Sequence, residues 1–192
     1  MSKNHLKAAV VGGLIVFIWS FLSWMVFPWH QKCLGKFTNQ SEVASVIANN
    51  APHSGVYVLP NTFSHKEGTS HHEMQQAQKM MQNGPYMFAS VKLEGVGKMT
   101  VKPFIFSLVI QIVGAFIVIW MLMQTKGLTF RQRVGFVTLF GFAVAFLSQL
   151  PEWNWWGLPF GHVVINMADF VIGWFLAGLA IVKMLPHHHH KK

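Results

Sequence analysis

The sequence predicts an all-α membrane protein, a four-transmembrane-helix bundle with a small α/β extracytoplasmic domain between helices 1 and 2. Of the 192 residues, 52% are hydrophobic and only 11% are charged, and the mean hydropathy is +0.37. The apolar residues gather in four runs, each close to the roughly 20 residues that a helix needs to cross a bilayer. A long polar stretch with several turn signals separates the first run from the second. The runs are residues 8–27, 103–124, 134–150 and 163–182, and the polar insertion covers residues 31–102.

The first apolar run resembles a signal peptide at its start, where Lys3, His5 and Lys7 precede it. The run is longer than the apolar part of a signal peptide, and no A-x-A cleavage pattern follows it. We therefore expect this segment to remain in the protein as the first membrane-spanning helix.

The insertion is predicted to fold as two helices and two strands. Asn39 with Glu42, and Ser70 with Glu73, have the spacing of capping boxes and would each open a helix. The first helix extends to about Ala48, and Asn83-Gly84-Pro85 ends the second. Two strands alone are only marginally stable in water, so we expect the insertion to rest on the membrane helices, pair with a second copy, or both. The predicted strands are residues 56–59 and 86–93.

The connection between the third and fourth runs, residues 151–161, is rich in aromatic side chains. Tryptophan suits the headgroup region of a bilayer, where the indole ring is buried while its N–H stays hydrated. Two interpretations remain open. The rings either anchor the chain at the membrane interface or line the entrance to a site for a lipid tail or an apolar ligand. The aromatic residues are Trp153, Trp155, Trp156 and Phe160.

The positions of basic residues predict the orientation. Lysine and arginine lie before run one, between runs two and three, and after run four, whereas the 151–161 connection has neither. The positive-inside rule then places both termini in the cytoplasm, in an integral, multi-pass protein of an inner or plasma membrane. The net charge of +9 is explained by this distribution. No basic stripe alternates with aromatic residues in a polar segment, so nucleic acid is not an expected partner.

Asp169 is the strongest candidate for a functional residue, because it is the only aspartate and lies inside the fourth run. A charged side chain at that depth is costly and is usually retained for a function. We expect Asp169 to accept hydrogen bonds from Gln111 and Asn166, with His162 two turns away completing a proton-accessible pair. Polar residues fall in the outer half of the four runs and small or aliphatic ones in the inner half, which predicts a pocket closed toward the cytoplasm. The predicted binding pocket comprises Gln111, Gln149, Glu152, His162, Asn166 and Asp169.

A purely structural interpretation also applies, because amides in membrane helices often only bond neighbouring helices together. The expected function is a binding or accessory protein for a lipid, a small molecule or a partner subunit, with the bilayer and a second copy as further partners. One alternative is a membrane enzyme of the outer leaflet with Asp169, His162 and Glu152 as acid/base groups. No nucleophile motif supports it, so no catalytic residue and no cofactor is assigned.

A second alternative is extracytoplasmic copper handling by histidines and methionines of the insertion, since imidazole and thioether bind Cu(I). The spacing does not form a zinc motif, and the methionines also fit an apolar helix face. Cys33, the single cysteine, excludes an internal disulfide. The residues concerned are His30, His53, His65, His71, His72, Met74, Met80, Met81 and Met87.

Overall fold

The computed structural model describes residues 3–62 and 71–185. Within them the chain is mostly helical, and four of the helices are long and apolar enough to cross a membrane. The elements in chain order are α1 (Lys3–Met25), α2 (Trp29–Cys33), α3 (Gln40–Asn50), β1 (Gly55–Leu59), α4 (His71–Asn83), β2 (Met87–Val91), α5 (Lys102–Met123), α6 (Phe130–Trp156) and α7 (Phe160–Met184).

The chain forms two compact units. One is Lys36–Met99, and the other contains the four long helices together with the short helix α2. In the helical unit, α7 packs against both α1 and α6, and α1 also packs against α5, whereas α5 and α6 contact each other much less.

Small residues allow these helices to approach closely. A Cβ atom at Gly13 of α1 would lie only 2.5 Å from the Cα atom of Ile112 in α5. At Gly178 of α7 it would lie 3.2 Å from the Cβ atom of Val137 in α6. Gly13 and Gly178 therefore lie at helix interfaces, as small residues do in membrane bundles.

The apolar core occupies one end of the bundle. It contains residues from the first part of α1 and α6, such as Ala9 and Val137, and from the last part of α5 and α7, such as Ile119 and Ile181. The core therefore lies where α1 and α6 begin and where α5 and α7 end. At the opposite end, most side chains that are fully buried are small or polar.

The end of α6 differs from the prediction. The sequence predicts a connection that starts at Pro151, because proline has no N–H and interrupts helical hydrogen bonding. In the structure α6 continues through Pro151 to Trp156, and only residues 157–159 connect it to α7. Gly157 ends the helix in the left-handed conformation, φ 69°, with its N–H bonded to the carbonyl of Glu152. One missing hydrogen bond is thus insufficient to end α6, and the glycine sets the boundary.

The Lys36–Met99 unit has the predicted helices and strands. The side chain of Asn39 accepts a hydrogen bond from the Glu42 backbone N–H and caps α3, as expected. Strands β1 and β2 form an antiparallel two-stranded sheet in which Tyr57 lies opposite Ala89. Ser70, the predicted cap of α4, lies outside the described residues. Neither α3 nor α4 contains a fully buried residue.

Candidate functional site

Asp169 lies in α7, nine residues after the helix begins at Phe160. Its side chain is only 13% exposed. Ser23 of α1 donates its hydroxyl hydrogen to the carboxylate, with Oγ 2.6 Å from Oδ1 and 2.7 Å from Oδ2. The Nε2 atom of His30 lies 2.7 Å from Oδ2. The carboxylate is therefore held by two side chains from outside its own helix.

A reversal of the chain after α1 brings His30 and Trp29 to this site. α1 ends at Met25, and the short helix α2 starts at Trp29, directly after Pro28. Proline suits this position because its φ is already helical and the first N–H groups of a helix have no internal partner. The indole Nε1–H of Trp29 then donates to Ser23 Oγ at 2.8 Å. Ser23 thus accepts from Trp29 and donates to Asp169.

Aromatic rings cover this cluster. The rings of Trp24 and His30 are stacked, with centroids 3.8 Å apart and an interplanar angle of 11°. Trp29 also contacts Phe27 and Trp19, with ring centroids 4.6 Å and 6.3 Å away. His30 is only 1% exposed and Ser23 is fully buried. The four polar side chains Ser23, Trp29, His30 and Asp169 are hereafter called the Asp169 cluster.

The contacts of His30 define its tautomer. Nε2 faces a carboxylate oxygen at 2.7 Å, so this nitrogen carries a proton and donates it. The other ring nitrogen, Nδ1, is buried and has no hydrogen-bond partner among the described residues. The same holds for the indole Nε1 of Trp19. Buried polar atoms are nearly always paired. Nδ1 of His30 and Nε1 of Trp19 are therefore exceptions among the described residues.

Serine, histidine and aspartate also form the triad of many hydrolases, but the geometry here is different. In a triad the imidazole lies between the other two residues and uses one nitrogen for each. In this chain Nε2 of His30 contacts both Asp169, at 2.7 Å, and Ser23, at 3.1 Å. The hydroxyl of Ser23 donates directly to the carboxylate and is fully buried. The arrangement holds a carboxylate in place and does not activate a serine nucleophile.

A second polar network lies on the same helix, toward its beginning. The Nδ2 amide of Asn166 donates to Gln149 Oε1 of α6 at 3.0 Å and contacts His162 Nε2 at 3.0 Å. Since an amide N–H is the donor, Nε2 of His162 is the acceptor and the proton of this ring is on Nδ1. His162, Asn166 and Gln149 are all partly exposed. In the part of the chain that the structure describes, Asn166 Oδ1 and His162 Nδ1 make no further side-chain hydrogen bond.

Trp174 is the buried core residue of α7 that lies nearest in the chain to Asp169. The residue is only 4% exposed. Its ring lies 3.6 Å from where a Cβ of Gly114 in α5 would be, and its Cβ lies 2.6 Å from the corresponding point at Gly141 in α6. The indole thus fills the space between two helices that otherwise contact each other little. It lies five residues, or about 7.5 Å along α7, beyond Asp169.

Of the six predicted pocket residues, three bond to one another and a fourth, Asp169, belongs to a separate network. Gln149, His162 and Asn166 bond to one another, and Asp169 bonds to Ser23 and His30 instead of to Gln111 and Asn166. Among the described residues, the side chains of Gln111 and Glu152 make no hydrogen bond. Gln111 is half-buried in α5, and Glu152 is in the last turns of α6.

The sequence did not identify Trp29 and His30 as site residues. His30 was grouped with the histidines of the insertion, whereas the structure places it in the helical unit. The available signal was Pro28, which could open a short helix that returns toward α1.

The side chains that commonly bind metal ions are dispersed in the described part of the chain. Within residues 3–62 and 71–185, no three His, Cys, Asp or Glu side chains come close enough together to hold a metal ion. His65 of the copper alternative lies outside the described residues, as do His187–His190.

Comparisons of the chain with family models, with curated proteins and with solved structures found no match. The four apolar helices define the class of the molecule, a multi-pass membrane protein.

Proposed function

We propose that this chain is a membrane binding or accessory protein whose site is the polar end of α1, α6 and α7, with Asp169 at its centre. The ligand is a lipid, a small molecule or a helix of a partner subunit. With the orientation predicted from the basic residues, this end faces outward and both termini are cytoplasmic.

The observation that carries the proposal is the separation of polarity along the bundle. The Asp169 cluster and the Gln149, His162 and Asn166 network both lie at one end. The core at the other end consists of apolar side chains, and Trp174 lies between the two regions. Among the described residues, the buried polar side chains are Ser23 and His30, and both lie at this end. This arrangement suits a site entered from one side, whereas a conduction pathway needs polar groups along its whole length.

The fixed geometry of the carboxylate also supports binding. Ser23 and His30 fix the side chain of Asp169, so a ligand does not have to order it. A carboxylate offers about four acceptor positions, and the two donors leave part of this capacity unused. The Nδ1–H of His162 and Oδ1 of Asn166 add one donor and one acceptor nearby.

The enzyme alternative has less support. Asp169 and His162 belong to different networks, and Glu152 contacts neither of them through a side-chain hydrogen bond among the described residues. A general acid/base pair would need groups within reach of one reacting atom.

The proposal is tested by comparing the species that remain bound to wild type and to Asp169→Asn after gentle detergent purification. The amide preserves the hydrogen-bonding shape and removes the charge, so we expect native mass spectrometry to show at least a tenfold lower retention. Lys126→Gln is the matched control, because it also replaces a charged side chain by an amide, at an exposed position at the opposite end of the bundle. Equal retention in wild type and Asp169→Asn, with equal melting temperatures, would show that Asp169 only supports packing.

A further inference from the structure

The charge of Asp169 is not balanced by a lysine or an arginine. Within the described residues its one ion-pair partner is His30, at 2.7 Å. The lysines of α1 and α7 are at the opposite end of the bundle, at least 14 residues along their helices, which is about 21 Å. Lys32 of α2 is at the same end as the cluster, but its side chain is exposed and forms no ion pair with Asp169. The ionisable residues on α1, α2, α6 and α7 are Lys3, His5, Lys7, His30, Lys32, Cys33, Arg131, Arg133, Glu152, His162, Asp169 and Lys183.

With a neutral imidazole, the Asp169 cluster therefore carries one uncompensated negative charge inside a span. Such a charge is costly in an apolar environment. One additional proton removes the net charge, either on the imidazole of His30 or on the carboxyl of Asp169. Because Nε2 and Oδ2 are 2.7 Å apart, the added proton is assigned to the pair and not to either residue.

Contacts of the pair favour binding of this proton on the ring. Oδ2 of Asp169 lies 2.7 Å from Nε2, and a carboxylate this close stabilises a positive charge on the imidazole. Trp24 stacks on the imidazole at 3.8 Å, and an aromatic face attracts a cation. Ser23 donates to both oxygens of Asp169, which stabilises the carboxylate beside an imidazolium.

We propose that the His30–Asp169 pair is a proton-binding site, which holds one proton at neutral pH and so leaves the Asp169 cluster without net charge. This assignment goes beyond the binding function and does not depend on whether a ligand occupies the site. Because Trp174 and the apolar core lie on the other side of the cluster, the proton exchanges with the end of the bundle where α7 begins.

The test counts the protons on both partners by solid-state NMR of the full chain in lipid bilayers. Cell-free synthesis with aspartate labelled with 13C at Cγ gives one carboxyl signal, because Asp169 is the only aspartate. Histidine labelled with 15N supplies the ring signals. His30 is assigned by magnetisation transfer to that carboxyl, since its Nε2 is 2.7 Å from Oδ2, and no variant is needed.

At pH 7.5, where a free imidazole is only about one-tenth protonated, we expect one proton on the pair. An imidazolium beside a carboxylate supports the site, and so does a neutral ring beside a protonated carboxyl. A neutral ring beside an ionised carboxylate overturns it. His162 is the internal control at the same end of the bundle, because its Nε2 contacts the Asn166 amide and no carboxylate among the described residues.

The Asp169→Asn variant separates the charge from the geometry. Two rings then lie close to 13C-labelled asparagine, His162 beside Asn166 and His30 beside position 169, and the ring correlation that wild type lacks belongs to His30. This ring should be neutral at pH 7.5 if the negative charge of Asp169 is what retains the proton on the pair. A doubly protonated His30 in this variant would overturn the pairing.

Discussion

At the scale of single residues, the glycines of the membrane helices differ in what surrounds them. Gly13 faces the backbone of α5, where a Cβ atom would be 2.5 Å from Ile112 Cα. Gly135 of α6 has no atom within 4 Å of the corresponding position. Substitution by alanine should therefore lower the stability at Gly13 and not at Gly135.

We expect Gly13→Ala to lower the free energy of unfolding by about 1–3 kcal/mol, because the helices must separate to admit the methyl group. Gly135→Ala should leave it unchanged or raise it by up to about 1 kcal/mol, since alanine has the higher helix propensity. Unfolding by titration with sodium dodecyl sulfate measures both. Equal effects of the two substitutions would contradict the close approach of α1 and α5.

Among single residues, Asp169 could be predicted from the sequence, whereas its hydrogen-bond partners could not. Asp169 was recognisable because an ionisable group in an apolar run has a known energetic cost. Its partners were not, because helical periodicity relates residues within one helix and gives no distance between helices. Ser23 and Asp169 are 146 positions apart in the chain, yet their side chains are 2.6 Å apart.

At the scale of elements, α2 is a five-residue helix held mainly by its contacts with α1 and α7. A helix of this length is not stable alone. The hydrogen bond from Trp29 to Ser23 and the pairing of His30 with Asp169 attach it to the bundle. The stability of α2 should therefore depend on these side chains.

Trp29→Phe keeps an aromatic ring and removes the indole donor. A lost hydrogen bond costs about 0.5–1.5 kcal/mol, so local opening of α2 should increase about two- to tenfold. Hydrogen exchange measured on a peptide covering residues 26–37 reports this opening. Trp155→Phe, at an exposed position, is the control. Unchanged exchange in Trp29→Phe would show that the indole does not hold α2.

Element boundaries were predictable where a local signal determined them. The Asn39 cap and the strands β1 and β2 follow from side chains within a few positions, and all are present. α2 and the helical turns after Pro151 were missed for the opposite reason. The contacts that stabilise α2 come from distant residues, and the weak interruption at Pro151 is outweighed by the strong terminator at Gly157.

At the scale of the whole molecule, the orientation in the membrane remains a prediction from the basic residues. Cys33, in α2, is a native reporter because it is the single cysteine and is partly exposed. If α2 is at the outer side, a membrane-impermeant maleimide added to intact cells should label it.

A reporter for the opposite side is Lys126→Cys in a Cys33→Ser background, because Lys126 is exposed in the connection between α5 and α6. This variant should be labelled only after permeabilisation. The reverse pattern would invert the topology and place the Asp169 cluster toward the cytoplasm.

The position of Trp174 has an electrical consequence. Asp169 lies about 14 Å along α7 from its first residue, in a hydrocarbon layer about 30 Å thick. An ion that reaches the carboxylate from that end crosses less than half of the membrane voltage, and the buried indole of Trp174 lies beyond it. Its binding would therefore change by roughly 1 kcal/mol per 100 mV, since a full crossing corresponds to about 2.3 kcal/mol. An ion that binds there would move charge through part of the bilayer without carrying a steady current.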